Sequence, residues 1–174
     1  MNELMSGKTP VGAPFALRDP AGKLRKLDEF RGRLVLLYFG YTHCPDVCPT
    51  DLVAIASALN QLGSGAADIQ PVFITLDPAR DTPKALRVWL NQFDKRFIGL
   101  TGSQSAIDAV QAAAGVPVAA KVARPGDDYA VGHANFVIAY TKDNLAHVIY
   151  PGGVTRQDWA HDLPQLVNET WSSR

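Results

Sequence analysis

Two short apolar stretches in the first half of the chain, Leu34 to Tyr38 and Pro71 to Leu76, flank a segment whose apolar residues recur every third or fourth position. A short continuous apolar run bounded by polar residues predicts a strand buried on both faces. Between them, Leu52, Ile55, Ala56, Leu59 and Leu62 mark the stripe of an amphipathic helix, which Gly63-Ser64-Gly65 ends. Strand, helix, strand is the unit of a parallel sheet, whose neighbouring strands end on one edge. Thr82 can cap and Pro83 open a second helix carrying Leu86, Trp89, Leu90 and Phe93, and Ser103 and Gly115 bracket an alanine-rich third.

The remaining pattern is strand-rich. Pro14 to Leu17 and Leu24 to Leu27 flank a Pro/Gly turn and predict an N-terminal hairpin. Ile98 to Leu100 reads as an edge strand, and Val116 to Val122, interrupted by Pro117, as irregular chain leading into another. Phe136 to Tyr140 and Leu145 to Tyr150 are strands joined by the turn Lys142-Asp143-Asn144. Thr155 and Asp158 cap a last helix whose packing face is Trp159, Leu163, Leu166 and Val167, with Pro164 expected to kink or restart it.

Composition narrows the class. A chain of 174 residues, 47% of them hydrophobic, predicts one α/β domain over residues 12–174 behind a polar leader at 1–11. Seventeen basic and seventeen acidic residues cancel, which argues against nucleic acid or an acidic substrate as partner. No apolar run approaches the roughly 20 residues that span a bilayer, and the N-terminus lacks a signal-peptide core.

The chemistry gathers where the first strand hands over to its helix. Phe39 to Thr50 holds both cysteines of the chain, Cys44 and Cys48. Pro49 belongs in a first helical turn, which puts the helix start near Cys48 and leaves Cys44 in the loop before it. Helix N-terminal amides favour negative charge, so Cys48 at least is expected to have its thiolate stabilised below the free value of about 8.5. Four-residue spacing brings the two sulfurs near one another, so a disulfide and a shared soft metal ion are both sterically conceivable. His133 stands just ahead of Phe136 to Tyr140; a lone histidine there reads as a ligand or as an ordinary surface or structural residue. His43 adjoins Cys44 and is an alternative ligand, although adjacent side chains rarely point the same way. His147 and His161 have no second ligand at a helpful spacing and read as structural or surface groups. Asp77, Arg80 and Asp81 read either as turn and capping groups or as the rim of the cysteine edge.

The string GYTHCPDVCPTDL, Gly40 to Leu52, resembles the copper-binding motif of the Sco/SenC family, thioredoxin-fold proteins that help to assemble the CuA centre of cytochrome c oxidase. Thr75 to Pro83 resembles the family's second signature, and Asp128-Tyr129-Ala130-Val131-Gly132-His133 the segment that carries its histidine ligand. These pieces occur in the family's order, and with the N-terminal lead-in they cover the chain from Gly12 to about Val167. The resemblance implies a thioredoxin-like fold with a central mixed sheet, flanking helices and an N-terminal β-hairpin. It makes Cys44, Cys48 and His133 the copper ligands, with His133 where thioredoxins keep a cis-proline. It also implies an N-terminal membrane anchor, absent here, that places the domain on the periplasmic face of the bacterial inner membrane, or less readily in the mitochondrial intermembrane space. Gly132 departs from the pattern: many members have an acidic residue there, which tunes the imidazole, and Asp127 and Asp128 are the nearby substitutes.

Two thiolates and an imidazole suit Cu(I) and can also hold Cu(II), whereas structural zinc usually takes four ligands. The expected function is a metallochaperone that delivers copper to the CuA site of cytochrome c oxidase subunit II, with other periplasmic copper chaperones as further partners. The alternative is a thiol-disulfide oxidoreductase in which Cys44 attacks and Cys48 resolves. A peroxiredoxin-like peroxidase shares the fold, but neither cysteine has a peroxide-binding context.

Overall fold

The chain is described by a computed structural model over residues 2–3, 15–126 and 128–170. At its middle lies the strand β4 (Leu34–Gly40), every residue of which is buried. It is covered in its own plane by β5 (Ile69–Thr75) in parallel and by β9 (Phe136–Tyr140) in antiparallel pairing. A strand paired on both edges and packed on both faces meets no water, which is why Leu34 to Phe39 are all apolar. Outward from this centre, β5 pairs with β6 (Ile98–Leu100), and β9 pairs with β10 (Ala146–Pro151). The far edge is β1 (Asn2–Glu3) against Val148 and Ile149 of β10. The rest of the predicted leader, and Pro14 of the predicted hairpin, lie outside the described residues. The hairpin itself forms from β2 (Ala16–Arg18) and β3 (Leu24–Lys26).

Four helices flank the mixed sheet: α1 (Val47–Leu62), α2 (Pro83–Leu90), α3 (Gln104–Ala113) and α4 (Arg156–Asn168). Their starts follow the capping chemistry of the sequence. The hydroxyls of Thr82, Ser103 and Thr155 accept from the amides of Ala85, Ala106 and Asp158, and Asp158 returns the bond to the Thr155 amide. Phe73 of β5 packs on Trp89, and Trp89 on Phe93.

Two expectations are corrected. Pro164 does not restart α4, which runs through it. A proline costs the helix one backbone bond, but Trp159 and Leu163 before it and Leu166 and Val167 after it are buried on one face against the core, and a restart would turn one pair away. β5 begins at Ile69, two residues before the apolar run. Gln70 is hidden there because Arg33 donates to its Oε1 and its amide donates to the carbonyls of Pro71 and Arg96.

Like β2 and β3, a second pair of strands stands outside the six-stranded sheet. After α3 the chain makes the antiparallel hairpin β7 (Ala120–Ala123) and β8 (Tyr129–Gly132), whose ladder joins only these two strands. All four residues of β7 are exposed.

Candidate metal centre

The parallel pairing of β4 and β5 sets the turns after both strands side by side, as the strand-helix-strand pattern predicts. β4 ends at Gly40, and the chain turns through Tyr41 to Asp46 before α1 begins. A side chain at Gly40 would have its Cβ 3.0 Å from the Cys48 sulfur and 2.9–3.0 Å from the rings of Tyr38 and Phe73. Glycine is therefore what lets the first turn of α1 settle onto the end of the strand. Cys48 is fully buried in that turn, and Cys44, on the loop before it, is 9% exposed.

His133 follows β8 directly and reaches the same place from the other side. One ligand atom from each of Cys44, Cys48 and His133 lies within 4.8 Å of the other two, and the Cys48 sulfur is 3.7 Å from His133 Nε2. His133 Nδ1 is 2.9 Å from the Ala134 carbonyl oxygen. A carbonyl only accepts, so Nδ1 carries a proton, and in the neutral imidazole Nε2 then turns its lone pair toward the sulfurs, the form that a metal ion requires.

The two thiols share their charge unequally, and not in the direction the helix start alone predicts. A hydrogen bond from the Cys48 thiol, helped by the amides of Asp46 and Cys48, outweighs the cost of burial and pulls Cys44 down to about 5. The same hydrogen bond and its own burial push Cys48 up. The expectation that Cys48 is the stabilised thiolate is thus reversed. The amides at the start of α1 are offered to the sulfur just ahead of the helix, while Cys48, inside the first turn, lies beneath the charge and keeps its proton.

The turn after β5 supports this arrangement. Asp81 is fully buried, and its carboxylate accepts from the Thr42 amide (3.0 Å), the Thr42 hydroxyl (2.6 Å) and the Thr75 hydroxyl (2.6 Å). It pins the cysteine loop to the end of β5, while Thr82 provides the cap of α2. Asp77, also fully buried, accepts from the Tyr129 hydroxyl at 2.7 Å and pairs with the Arg80 guanidinium. Asp77 and Arg80 thus bridge to the histidine-bearing hairpin, and Asp81 holds the loop. The rim reading of this segment describes them better than turn chemistry alone.

His43 is 54% exposed at its side chain and turns to Thr42 Oγ1 (3.1 Å) and Asp81, outside the group formed by Cys44, Cys48 and His133. His147 pairs with Asp143 at the β9–β10 turn, and His161 with Asp162 on α4. Asp128 faces Arg80 at 3.2 Å, and Asp127 lies outside the described residues. Sequence reasoning missed the polar layer beneath the dithiol. The Tyr38 hydroxyl lies 2.8 Å from Asn135 Oδ1 and 3.3 Å from the buried Asp51 carboxylate, which also accepts from the Gly153 amide at 2.9 Å. Its one available signal was Asp51 itself, an acid one turn after Cys48 and one turn before Ile55, on the helix face that points inward.

Residues 4–168 match the family model for SCO1/SenC. An SCO2-like protein of Rickettsia prowazekii is 41% identical over 138 residues, which are 78% of this chain and 67% of that protein. The mitochondrial SCO2 homologue of Bos taurus is 40% identical over 133 residues, 75% of this chain and 50% of that one. The chain thus spans between half and two thirds of these relatives. Among solved structures, Bradyrhizobium japonicum ScoI with copper bound superposes with a TM-score of 0.82 at 35% identity, over 90% of this chain and 99% of that one.

Proposed function

Because this chain belongs to the SCO1/SenC family and has its thioredoxin-like fold, we propose that it binds copper through Cys44, Cys48 and His133 and supplies it to the CuA site of cytochrome c oxidase. The observation that carries this reading is the convergence of two sulfurs and an imidazole Nε2 within 4.8 Å of one another at the sheet edge. Cys44 offers a thiolate near neutral pH, and Cys48 becomes one by giving up its proton as the metal enters, so tight binding releases a proton. Two soft sulfurs suit Cu(I), and the imidazole completes a set that also holds Cu(II). Cysteine thiolates of an acceptor can replace Cys44 and Cys48 in turn, which passes copper on without changing its oxidation state.

This chemistry and family membership support the finer parts of the reading. The acceptor is the dicysteine site of oxidase subunit II, and periplasmic copper chaperones are the donors. The domain works on the periplasmic face of the bacterial inner membrane; among the described residues no helix is long and apolar enough to cross a membrane.

A second reading is favoured by the unequal thiols. Cys44, the more exposed and the ionised one, suits attack on a partner disulfide, forming a mixed disulfide and releasing one partner thiolate. Cys48 then loses its proton, attacks Cys44 and releases the second thiolate, leaving the partner reduced by two electrons and the dithiol oxidised. Both cysteines are free thiols here, the form that starts either reaction.

Titration of the reduced protein with Cu(I) against a competing chelator, followed by oxidation, tests the first reading. The expected result is one tightly held copper per chain and a thiolate-to-Cu(II) charge-transfer band that is lost in His133→Ala. Failure to retain copper, together with rapid dithiol exchange on a protein disulfide, would leave the reductase in its place.

A further inference from the structure

The hairpin that delivers His133 lies over the body of the protein. A pocket of about 340 Å³ beside it is lined by the turn after β5 at Leu76, Pro78 and Ala79, by α3, and by Ala119, Lys121 and Val131. Packing beside such a space holds a strand loosely, because atoms that face it lack contact partners. β8 is exposed or half-buried except at Val131, and its ladder bonds go to β7 alone. Val131 anchors it in the core, and the polar contacts that fix its position are concentrated at Tyr129. The phenol donates to the fully buried Asp77 carboxylate at 2.7 Å, and the Arg80 guanidinium lies 3.7 Å from the ring centre. Arg80 also pairs with Asp77 and, at 3.2 Å, with Asp128.

Arg80 reaches His133 by a second route. Its guanidinium is 5.8 Å from the ring centre of the buried Tyr41, and the Tyr41 ring meets the His133 ring at 6.0 Å and 89°, edge to face. One of its terminal nitrogens, Nη2, is buried without a hydrogen-bond partner. Flanked by two aromatic rings, the planar cation is held by stacking as well as by hydrogen bonds, and a lysine cannot reproduce that shape.

We propose that Asp77, Arg80 and Tyr129 form a clasp that positions His133 against the dithiol, and that this clasp sets the preference of the site between Cu(II) and Cu(I). This inference rests on the copper reading of the same site. The three are positioning residues: none offers the metal a ligand atom, and none belongs to the cysteine loop or to α1. Closing the clasp seats β8 and brings the imidazole to the sulfurs. Opening it leaves two sulfurs in place and withdraws the nitrogen, which weakens the hold on Cu(II) while Cu(I) keeps its soft ligands.

The test uses Tyr129→Phe, which removes only the hydroxyl, and Arg80→Lys, which keeps the charge and loses the plane. Each is compared with the unaltered protein by Cu(I) and Cu(II) competition titration and by the nitrogen hyperfine pattern of the Cu(II) spectrum. Residues that orient a metal ligand change affinity by about 10-fold to 100-fold when altered, so a loss of that order for Cu(II), with a disturbed nitrogen signal and little change for Cu(I), is expected. A copper-free readout accompanies it: amide hydrogen exchange over residues 129–134 is expected to quicken in both variants while α1 stays protected. Wild-type Cu(II) affinity and exchange in both folded variants would overturn the clasp, as would an equal loss of Cu(I) and Cu(II). If the unaltered protein itself fails to bind copper, the copper reading fails with it, and the exchange data alone decide whether the clasp holds the hairpin.

Discussion

Cys44 and Cys48 hang from the end of β4, a fully buried strand, and the first turn of α1, whereas His133 sits in the short link between β8, a strand outside the central sheet, and β9 within it. The cysteine side is held by burial: a strand without an exposed residue, a glycine that admits no side chain, and a buried carboxylate on Thr42 and Thr75. The histidine side is held by Val131 in the core and by a few polar and aromatic contacts beside an open pocket. Close-packed interiors have few alternative arrangements, and sparse polar contacts have many. Two of the three proposed ligands are thus permanent features of the fold, and the third is adjustable.

This contrast can be broken from the rigid side first. Cys48→Ser removes one of the two permanent soft ligands, so Cu(I) retention in the competition titration and dithiol exchange are both expected to be abolished, with the fold intact by circular dichroism. Gly40→Ala places a methyl group 2.9–3.0 Å from the rings of Tyr38 and Phe73 and from the Cys48 sulfur. Overpacking of this kind costs about 1–3 kcal/mol, to be read from urea denaturation, and is expected to weaken copper binding in both oxidation states.

The unequal thiols sharpen the contrast within the rigid side. Cys44 titrates at about 5, so its alkylation by iodoacetamide should hold steady from neutral pH down to that value and then fall about tenfold per pH unit as the thiolate is protonated. Cys48, buried and protonated, should stay unlabelled throughout, as peptide mass spectrometry after the reaction would show. The smallest effect is expected on the adjustable side. A Cβ at Gly132 would lie 3.6 Å from the Ala120 carbonyl and 3.7 Å from Val122, ordinary contact distances. Gly132→Asp should therefore change stability by no more than about 0.5 kcal/mol in the same denaturation assay. With the carboxylate beside the imidazole, a modest gain in Cu(II) affinity is expected by titration.

Much of the fold was legible because it rests on local signals. The caps Thr82, Ser103 and Thr155 act at a distance of three residues, and Ile98 to Leu100 and Phe136 to Tyr140 are apolar runs whose ends coincide with strand ends. The cysteine turn was legible for the same reason. His133 was not, since nothing within ten residues of it marks it out, and only its resemblance to a known segment raised it above an ordinary histidine. The contacts that escaped notice join distant positions, Asp77 with Tyr129 and Tyr38 with Asn135, and no pattern of a single segment carries such a pairing. Which cysteine is ionised escaped as well, because it depends on where a helix begins relative to each sulfur by less than one turn.

The depth difference between the sulfurs gives any transfer a direction. Cys44 is 9% exposed and Cys48 fully buried, so on the copper reading an incoming thiolate displaces Cys44 first. Cys48 is then the last tether, and copper departs only once the acceptor already grips it. On that reading the cargo is never set adrift in water: the outer sulfur serves as the door and the inner one as the bolt.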